Sequence, residues 1–493
     1  MLNVAIFLPL ITALIVLLLP GGHTRLIRWV ALAGAALTLA VTLVLWFGYD
    51  PAGAALQWRT TLPWIPGLGA TYDTAVDGLS LPLIVLTAML MTAVMIYVLP
   101  KGERPKGHAF LFLLMTTGLI GLFAAQDLLL FYVFFEIGLV PMYFIIGIWG
   151  HDNRRYAAIK FFLYTRAGSL AMLLSFLGLY SAVTPHTFSL PVIIAAHPLA
   201  GTGTFGGLVL LGMLTGFGVK LPIVPLHNWL PDAHVEAPTE GSVILAGVLL
   251  KMGGYGLLRV MLPTIPNVAA RYGWVLVALA LISIVYGSLA ALAQNDLKRL
   301  VAYTSINHMG FVMLGAGVWA LSRDASVRQL ALSGATYQMV SHGLLTGGMF
   351  LMVGMLQERA GTREMNKFGG LFAQLPLYSV LLGLLAFGSL GLPGFSGFVA
   401  EFQVIGATVS VSVWAAVITV LGLVITTGLY LKIVTVMLMG KPPEEMPTIS
   451  RPAPRELLIV TALTALSLLL GILPWTLARV VENTARLLAS IGS

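Results

Sequence analysis

The chain has no cysteine and very little charge. With no thiol among its 493 residues, disulfides and cysteine-ligated iron–sulfur clusters are excluded within it. Aspartate, glutamate, lysine and arginine together make up 9% of the sequence, against 58% hydrophobic residues and a mean hydropathy of +0.94. Soluble domains carry roughly a quarter charged residues, so a soluble fold is excluded too. Repeated apolar runs of roughly twenty residues predict an all-α polytopic membrane protein, with each backbone group satisfied inside its own helix. The formal net charge of +8 does not indicate nucleic acid, because the basic residues are scattered through short loops and form no basic face. The opening run MLNVAIFLPLITALIVLLLPGG shows no basic leader or cleavage site and reads as a first membrane helix.

Run lengths predict about fourteen membrane segments, with a soft boundary at Gln126-Asp127 between the runs near 109–126 and 127–149. The tail from Trp475 sets Arg479, Glu482 and Arg486 among aliphatics, the pattern of a short interfacial amphipathic helix. Loops after odd-numbered segments hold most of the lysine and arginine, including Arg25, Lys101, Arg154, Lys298 and Lys441. Loops after even-numbered segments hold only Arg59, Arg271, Arg323 and Arg328. By the positive-inside rule, odd loops face the cytoplasm and both termini face outward.

Chemistry concentrates between Leu211 and Lys251. Lys220 is followed within five residues by Pro222 and Pro225, and proline removes a backbone donor and clashes with the preceding turn. A helix broken beside an ammonium marks a polar cavity, because irregular backbone survives in lipid only where protein or water satisfies it. The stretch 217–222 is echoed by 387–393. Interrupted helices in corresponding positions are the expected trace of inverted repeats.

Six basic residues fall inside the expected segments: Lys160, Arg166, Lys220, Lys251, Arg259 and Lys432. Each costs about 2.5–3.5 kcal/mol at the bilayer centre, so each needs a partner or water. Arg259 and Lys432, near segment ends, are expected to snorkel to the interface. Glu136 lies within a segment and Glu401 follows the second break. His308 shares a helix stripe with Thr304 and Asn307, and His342 with Gln338, Ser341 and Thr346. A structural ion pair or a packed histidine is the plain alternative for each. Two polar stripes between Lys251 and Glu401 favour a hydrated relay, because imidazole titrates near neutrality.

Two other motifs carry less. His227, Asp232, His234 and Glu236 have ligand chemistry but no tight metal spacing, so a rigid Pro-rich connection is expected, with His227 lining the cavity beside the break. The run 201–206 fits GxGxxG, yet its flanks are membrane segments and not a βαβ unit, so no dinucleotide site is expected.

The Glu136 segment, KLPIVPLHNWLPDAHVEAPT, LLKMGGYGLLR, NDLKRLVAYTSINHMG and GLPGFSGFVAEF together resemble the M-type antiporter-like subunits of proton-pumping NADH:quinone oxidoreductase, bacterial respiratory complex I. These are relatives of the Mrp-type cation/proton antiporters, and the resemblance runs over essentially the whole chain. It implies about fourteen helices with two inverted five-helix repeats, each containing a broken helix. The divisions are 1–108, 109–262 with a break near 206–226, 263–440 with a break near 373–405, and 441–493. It also implies proton-transfer roles for Glu136, its partner Lys220, Lys251, His308, His342 and Glu401. Thr304, Ser341 and Lys160 are further candidate channel-lining residues. Glutamate at position 401 favours the M type over its L and N relatives. FMN, iron–sulfur clusters and quinone are implied for partner subunits, with no cofactor or metal in this chain. The implied partners are the neighbouring L and N subunits and lipids, and the chain is a translocase subunit without redox chemistry of its own. Arg166, in FFLYTRAGSL, departs from what such a helix would carry; it is read as facing a loop or reaching toward the polar axis. The rival readings are an Mrp-type sodium/proton antiporter subunit and a purely structural membrane subunit.

Overall fold

The computed structural model describes residues 1–99, 103–201 and 203–491. Lys101, counted among the odd-loop residues, and Thr202, inside the GxGxxG run, lie outside the described residues. The chain is mostly helical, and eleven of its described helices are long and apolar enough to cross a membrane. Among the described residues the all-α expectation has one exception. Gln57–Ile65 pairs antiparallel with Ala70–Val76, Thr60 opposite Thr74. Gly69 turns this hairpin with φ +59, a conformation free of steric cost only without a Cβ. Arg59 Nη2 then reaches Asp73 Oδ2 across it at 2.7 Å. β-branched and aromatic residues at these positions carried the strand signal.

Two helices are buried along their whole apolar length, Thr239–Thr264 and Ala325–Ala360, polar residues included. Small residues let them cross closely. A Cβ on Gly343 would come within 3.0 Å of the Gly247 carbonyl. That approach sets Lys251, one turn past Gly247, against His342. Two π-helical turns, Leu245–Leu249 and Gly256–Met261, flank the Lys251 turn. Such widened turns release carbonyls from the regular ladder and often mark functional sites.

Both expected breaks are present. Gly203–Lys220 ends at the lysine and the chain resumes as Trp229–Glu236. The freed backbone is partly satisfied by side chains: Trp229 Nε1 donates to the Val219 carbonyl at 2.9 Å, and Ser283 Oγ accepts from Val224 N–H at 2.9 Å. Pro376–Ser389 and Ser396–Val411 flank the second break. There Gly391 and Gly394 take φ of +82 and +100. The soft boundary at 126–127 is a true one: Asp127 caps Leu128–Trp149 by accepting from the Leu129 and Leu130 N–H groups. The run 190–196 is a short helix, Leu190–Ala196. Trp475–Ala489 is amphipathic as expected, but its apolar face, with Leu477, Val481 and Ala485, is buried against the bundle. Gly78 N–H donates to Thr484 Oγ1 at 2.8 Å, so this tail closes the bundle near its N-terminal hairpin.

Three basic residues are not where sequence put them. Arg259 does not snorkel: it is buried, its Nε 2.6 Å from Asp77 Oδ2 and its Nη2 donating to Gln126 Oε1 at 3.1 Å. Lys298 and Arg328, both assigned to loops, are buried too. Lys298 Nζ donates to the Ala237 carbonyl at 2.5 Å. Arg328 donates to the Ser322 and Ile491 carbonyls and lies over Trp319. In each case a neighbouring element supplies acceptors that no local sequence window reveals. Lys432, near its helix end, donates to the Gln294 carbonyl at 2.9 Å.

Candidate functional site

At the first break Lys220 is buried, and its ammonium has no hydrogen-bond partner. It sits between the rings of Phe135 and Phe161, 5.3 Å from each centroid, where the ring quadrupoles attract the cation. Glu136, its expected partner, makes no hydrogen bond to it. Glu136 Oε2 lies 2.7 Å from Arg166 Nη1, while its buried Oε1 has no partner. Glu136 thus pairs directly with Arg166 and stays within electrostatic range of Lys220 without a hydrogen bond to it, and Arg166 reaches the polar axis. Lys160 is 2.6 Å from Asp232 Oδ2, with Arg299 3.7 Å from the same carboxylate, so Lys160 is held in an ion pair. His227 is buried against Tyr286, its ring nitrogens without hydrogen-bond partners.

The four candidate metal ligands near this break diverge. Asp232 turns to Lys160, and Glu236 Oε2 accepts from Asn153 N–H at 2.9 Å. His234 stacks on Phe350 with centroids 4.6 Å apart. Among the described residues no cluster of histidine and carboxylate groups could hold a metal ion.

The centre of the site is Lys251. Its Nζ donates to the Ala246 carbonyl at 2.5 Å and lies 2.6 Å from His342 Nδ1. Ala246 itself lies in the widened turn Leu245–Leu249. His342 stands edge-on to His308 with centroids 5.5 Å apart. His308 Nε2 is 3.1 Å from the Ser389 carbonyl, an acceptor that the second break releases from its helix. Gln338, Ser341 and Glu401 join both histidines and Ser389 around a small cavity of about 10 Å³, room for about one water. Glu401 is buried there, and its carboxylate occupies the space that a side chain on Gly391 would fill. Thr304 donates to the Val301 carbonyl of its own helix at 2.8 Å. Ser341 Oγ lies 2.8 Å from Ser396 Oγ, which lies 2.8 Å from Ser467 Oγ. Sequence reasoning missed Ser396 and Ser467, because a lone serine in an apolar run carries no periodic signal.

A larger cavity of about 400 Å³, also missed, opens beside the ends of several helices. His108 Nε2 and Glu240 Oε1 meet at its wall at 2.9 Å, and His151 and Glu358 line it. Burial, reinforced by the Lys298 and Arg363 charges, lowers the His151 loop imidazole from 6.5 to about 4.

A chain of buried lysine, histidine and glutamate on crossing helices and beside two helix breaks is suited to passing protons. A sequence profile described as NADH:quinone oxidoreductase/Mrp antiporter, TM, matches residues 125–426, which contain every one of these groups. The chain belongs to that family. NADH-quinone oxidoreductase subunit M of Rhodobacter capsulatus is 40% identical over 489 residues, covering 96% of this chain and 93% of that relative. F(420)H(2) dehydrogenase subunit M of Methanosarcina mazei is 41% identical over 81% of this chain and 80% of its own length. A chain of respiratory complex I from Thermus thermophilus superposes with a TM-score of 0.90 at 30% identity, over all of both chains. The Mrp complex from Dietzia sp. superposes with a TM-score of 0.87 at 21% identity, covering 99% of this chain and 98% of that one, a likeness of fold. In family terms, the site is built from the membrane domain's two interrupted helices and the crossing pair between them.

Proposed function

We propose that this chain is the proton-translocating membrane subunit of an NADH:quinone oxidoreductase. Protons pass along Lys220, Lys251, His342, His308 and Glu401, driven by quinone reduction in other subunits. The observation that carries this reading is the Lys251–His342 contact of 2.6 Å, which puts two exchangeable groups in direct hydrogen-bond reach at the buried centre of the bundle. A buried lysine without a counter-ion favours its neutral form, and a nearby carboxylate favours the charged one. Moving Glu136 toward or away from Lys220 therefore changes which group holds the proton, and lysine environments span a wide range of proton affinity. Ser389 and the small cavity join His308 to Glu401 with space for a bridging water.

The finer architecture follows the same reading. About fourteen membrane helices divide into 1–108, the inverted repeats 109–262 and 263–440, and 441–493, each repeat holding one of the two breaks. The subunit lies in a bacterial inner membrane, its termini outward, beside L- and N-type neighbours. FMN, iron–sulfur clusters and quinone reside in partner subunits.

The test is NADH-driven proton pumping and quinone reduction by the assembled complex carrying Lys251→Ala, with and without sodium. Fewer protons per NADH, without a sodium requirement, is the expected result. Undiminished pumping would make the chain a structural subunit, and strict sodium dependence would make it a sodium/proton exchanger.

A further inference from the structure

Arg166 is the one charged side chain in this cluster that cannot carry a proton, since guanidinium stays protonated under all relevant conditions. It nonetheless holds the carboxylate on which the first break depends. Its Nη1 is 2.7 Å from Glu136 Oε2, and it also donates to the Tyr132 hydroxyl at 3.3 Å. Arg166 and Glu136 lie on the adjacent helices Arg154–Ala182 and Leu128–Trp149. Arginine–carboxylate pairs are frequently bidentate, with both oxygens engaged. Here Glu136 Oε1 is buried and without a partner, and Lys220 is likewise buried with no hydrogen-bond partner. The Lys220 ammonium contacts the ring of Phe135, the residue preceding Glu136. One carboxylate thus stands between two cations, bound to the fixed one and close to the titratable one.

We propose that Arg166 is a positioning residue that competes with Lys220 for the Glu136 carboxylate. It holds Glu136 away while Lys220 gives up its proton and releases it when Lys220 is recharged. This rests on the reading of Glu136 and Lys220 as the proton-handling groups of the first break. The contact is suited to reversible use. The arginine engages only one carboxylate oxygen, Oε2, and leaves the buried Oε1 without a partner and open to a second cation.

Four variants of the assembled complex test this: Arg166→Gln, Arg166→Lys, Glu136→Gln, and Glu136→Gln with Arg166→Gln. Protons pumped per NADH and the quinone-reduction rate are measured after native gels have established the subunit content. Arg166→Gln is expected to lower the pumping ratio. Arg166→Lys should restore most of it. In the Glu136→Gln background Arg166→Gln should change nothing further in pumping, because the carboxylate it positions is gone. An equal loss in both backgrounds, or no loss from Arg166→Gln alone, would overturn the proposal. If Arg166→Gln fails to assemble, Arg166→Lys decides: pumping near the parental ratio supports a positioning charge, and a loss as deep as that of Glu136→Gln refutes it. Should Glu136→Gln itself pump normally, the parent reading of the first break fails instead.

Discussion

Arg259→Met separates a buried ion pair from a snorkelling arginine. In the structure its Nε meets Asp77 Oδ2 at 2.6 Å, with the two side chains 7% and 1% exposed. Removing the guanidinium leaves a carboxylate in low dielectric with one oxygen unmatched, a loss of about 3–5 kcal/mol. Asp77 Oδ1 is unaffected, since it accepts from the Leu79 and Ser80 N–H groups at 2.9 Å each. Asp77→Asn together with Arg259→Met keeps a capping oxygen while removing the stranded charge. What then remains is mainly Gln126 Oε1, which loses its donor at about 1–3 kcal/mol. The double variant should therefore be more stable than the single one, an inversion of additivity that only direct coupling produces. The assay is the temperature at which the detergent-solubilised complex loses this subunit, compared across wild type, both single variants and the double. If Arg259→Met loses less than about 1 kcal/mol, as an exposed pair would, or if the double falls below the single, the buried-pair account is refuted.

Two more outcomes follow from buried polar groups outside the relay. Lys298→Met should destabilise the assembled subunit by about 1–3 kcal/mol, because the Ala237 carbonyl loses its donor inside the protein. Lys298→Arg should recover part of that in the same thermal assay. His151 titrates near 4 when folded and 6.5 when unfolded, so below 6.5 the unfolded chain takes up a proton that the native one refuses. Stability from this group is complete above pH 6.5 and is lost progressively as pH falls toward 4. His151→Gln should flatten the fall in thermal midpoint between pH 7 and pH 5, and an unchanged slope would show that other groups set it.

Much of the fold is legible in the sequence because lipid leaves few solutions. Apolar run length places the helices, and the proline pairs and glycines place both breaks, since these are local consequences of backbone chemistry. The hairpin was hidden by apolar neighbours whose run lengths dominate the reading. Intramembrane charge singles out Glu136, Lys220, Lys251 and Glu401 as residues that need a partner, and periodicity puts His308 and His342 on polar stripes.

Who partners whom was decided by packing. Glu136 pairs with Arg166 while Lys220 lies between two phenyl rings, although the sequence contains all of these residues without ranking them. Arg259 is buried and not interfacial because Asp77, 182 positions away, reaches it. Lys251 meets His342 because glycines let two helices cross closely, and a carbonyl in the widened turn beside it accepts from its ammonium. Charge, period and run length are properties of a short window, so a sequence states them alone. Which acceptor lies within 3 Å depends on elements far apart in the chain, and only tertiary structure brings those together.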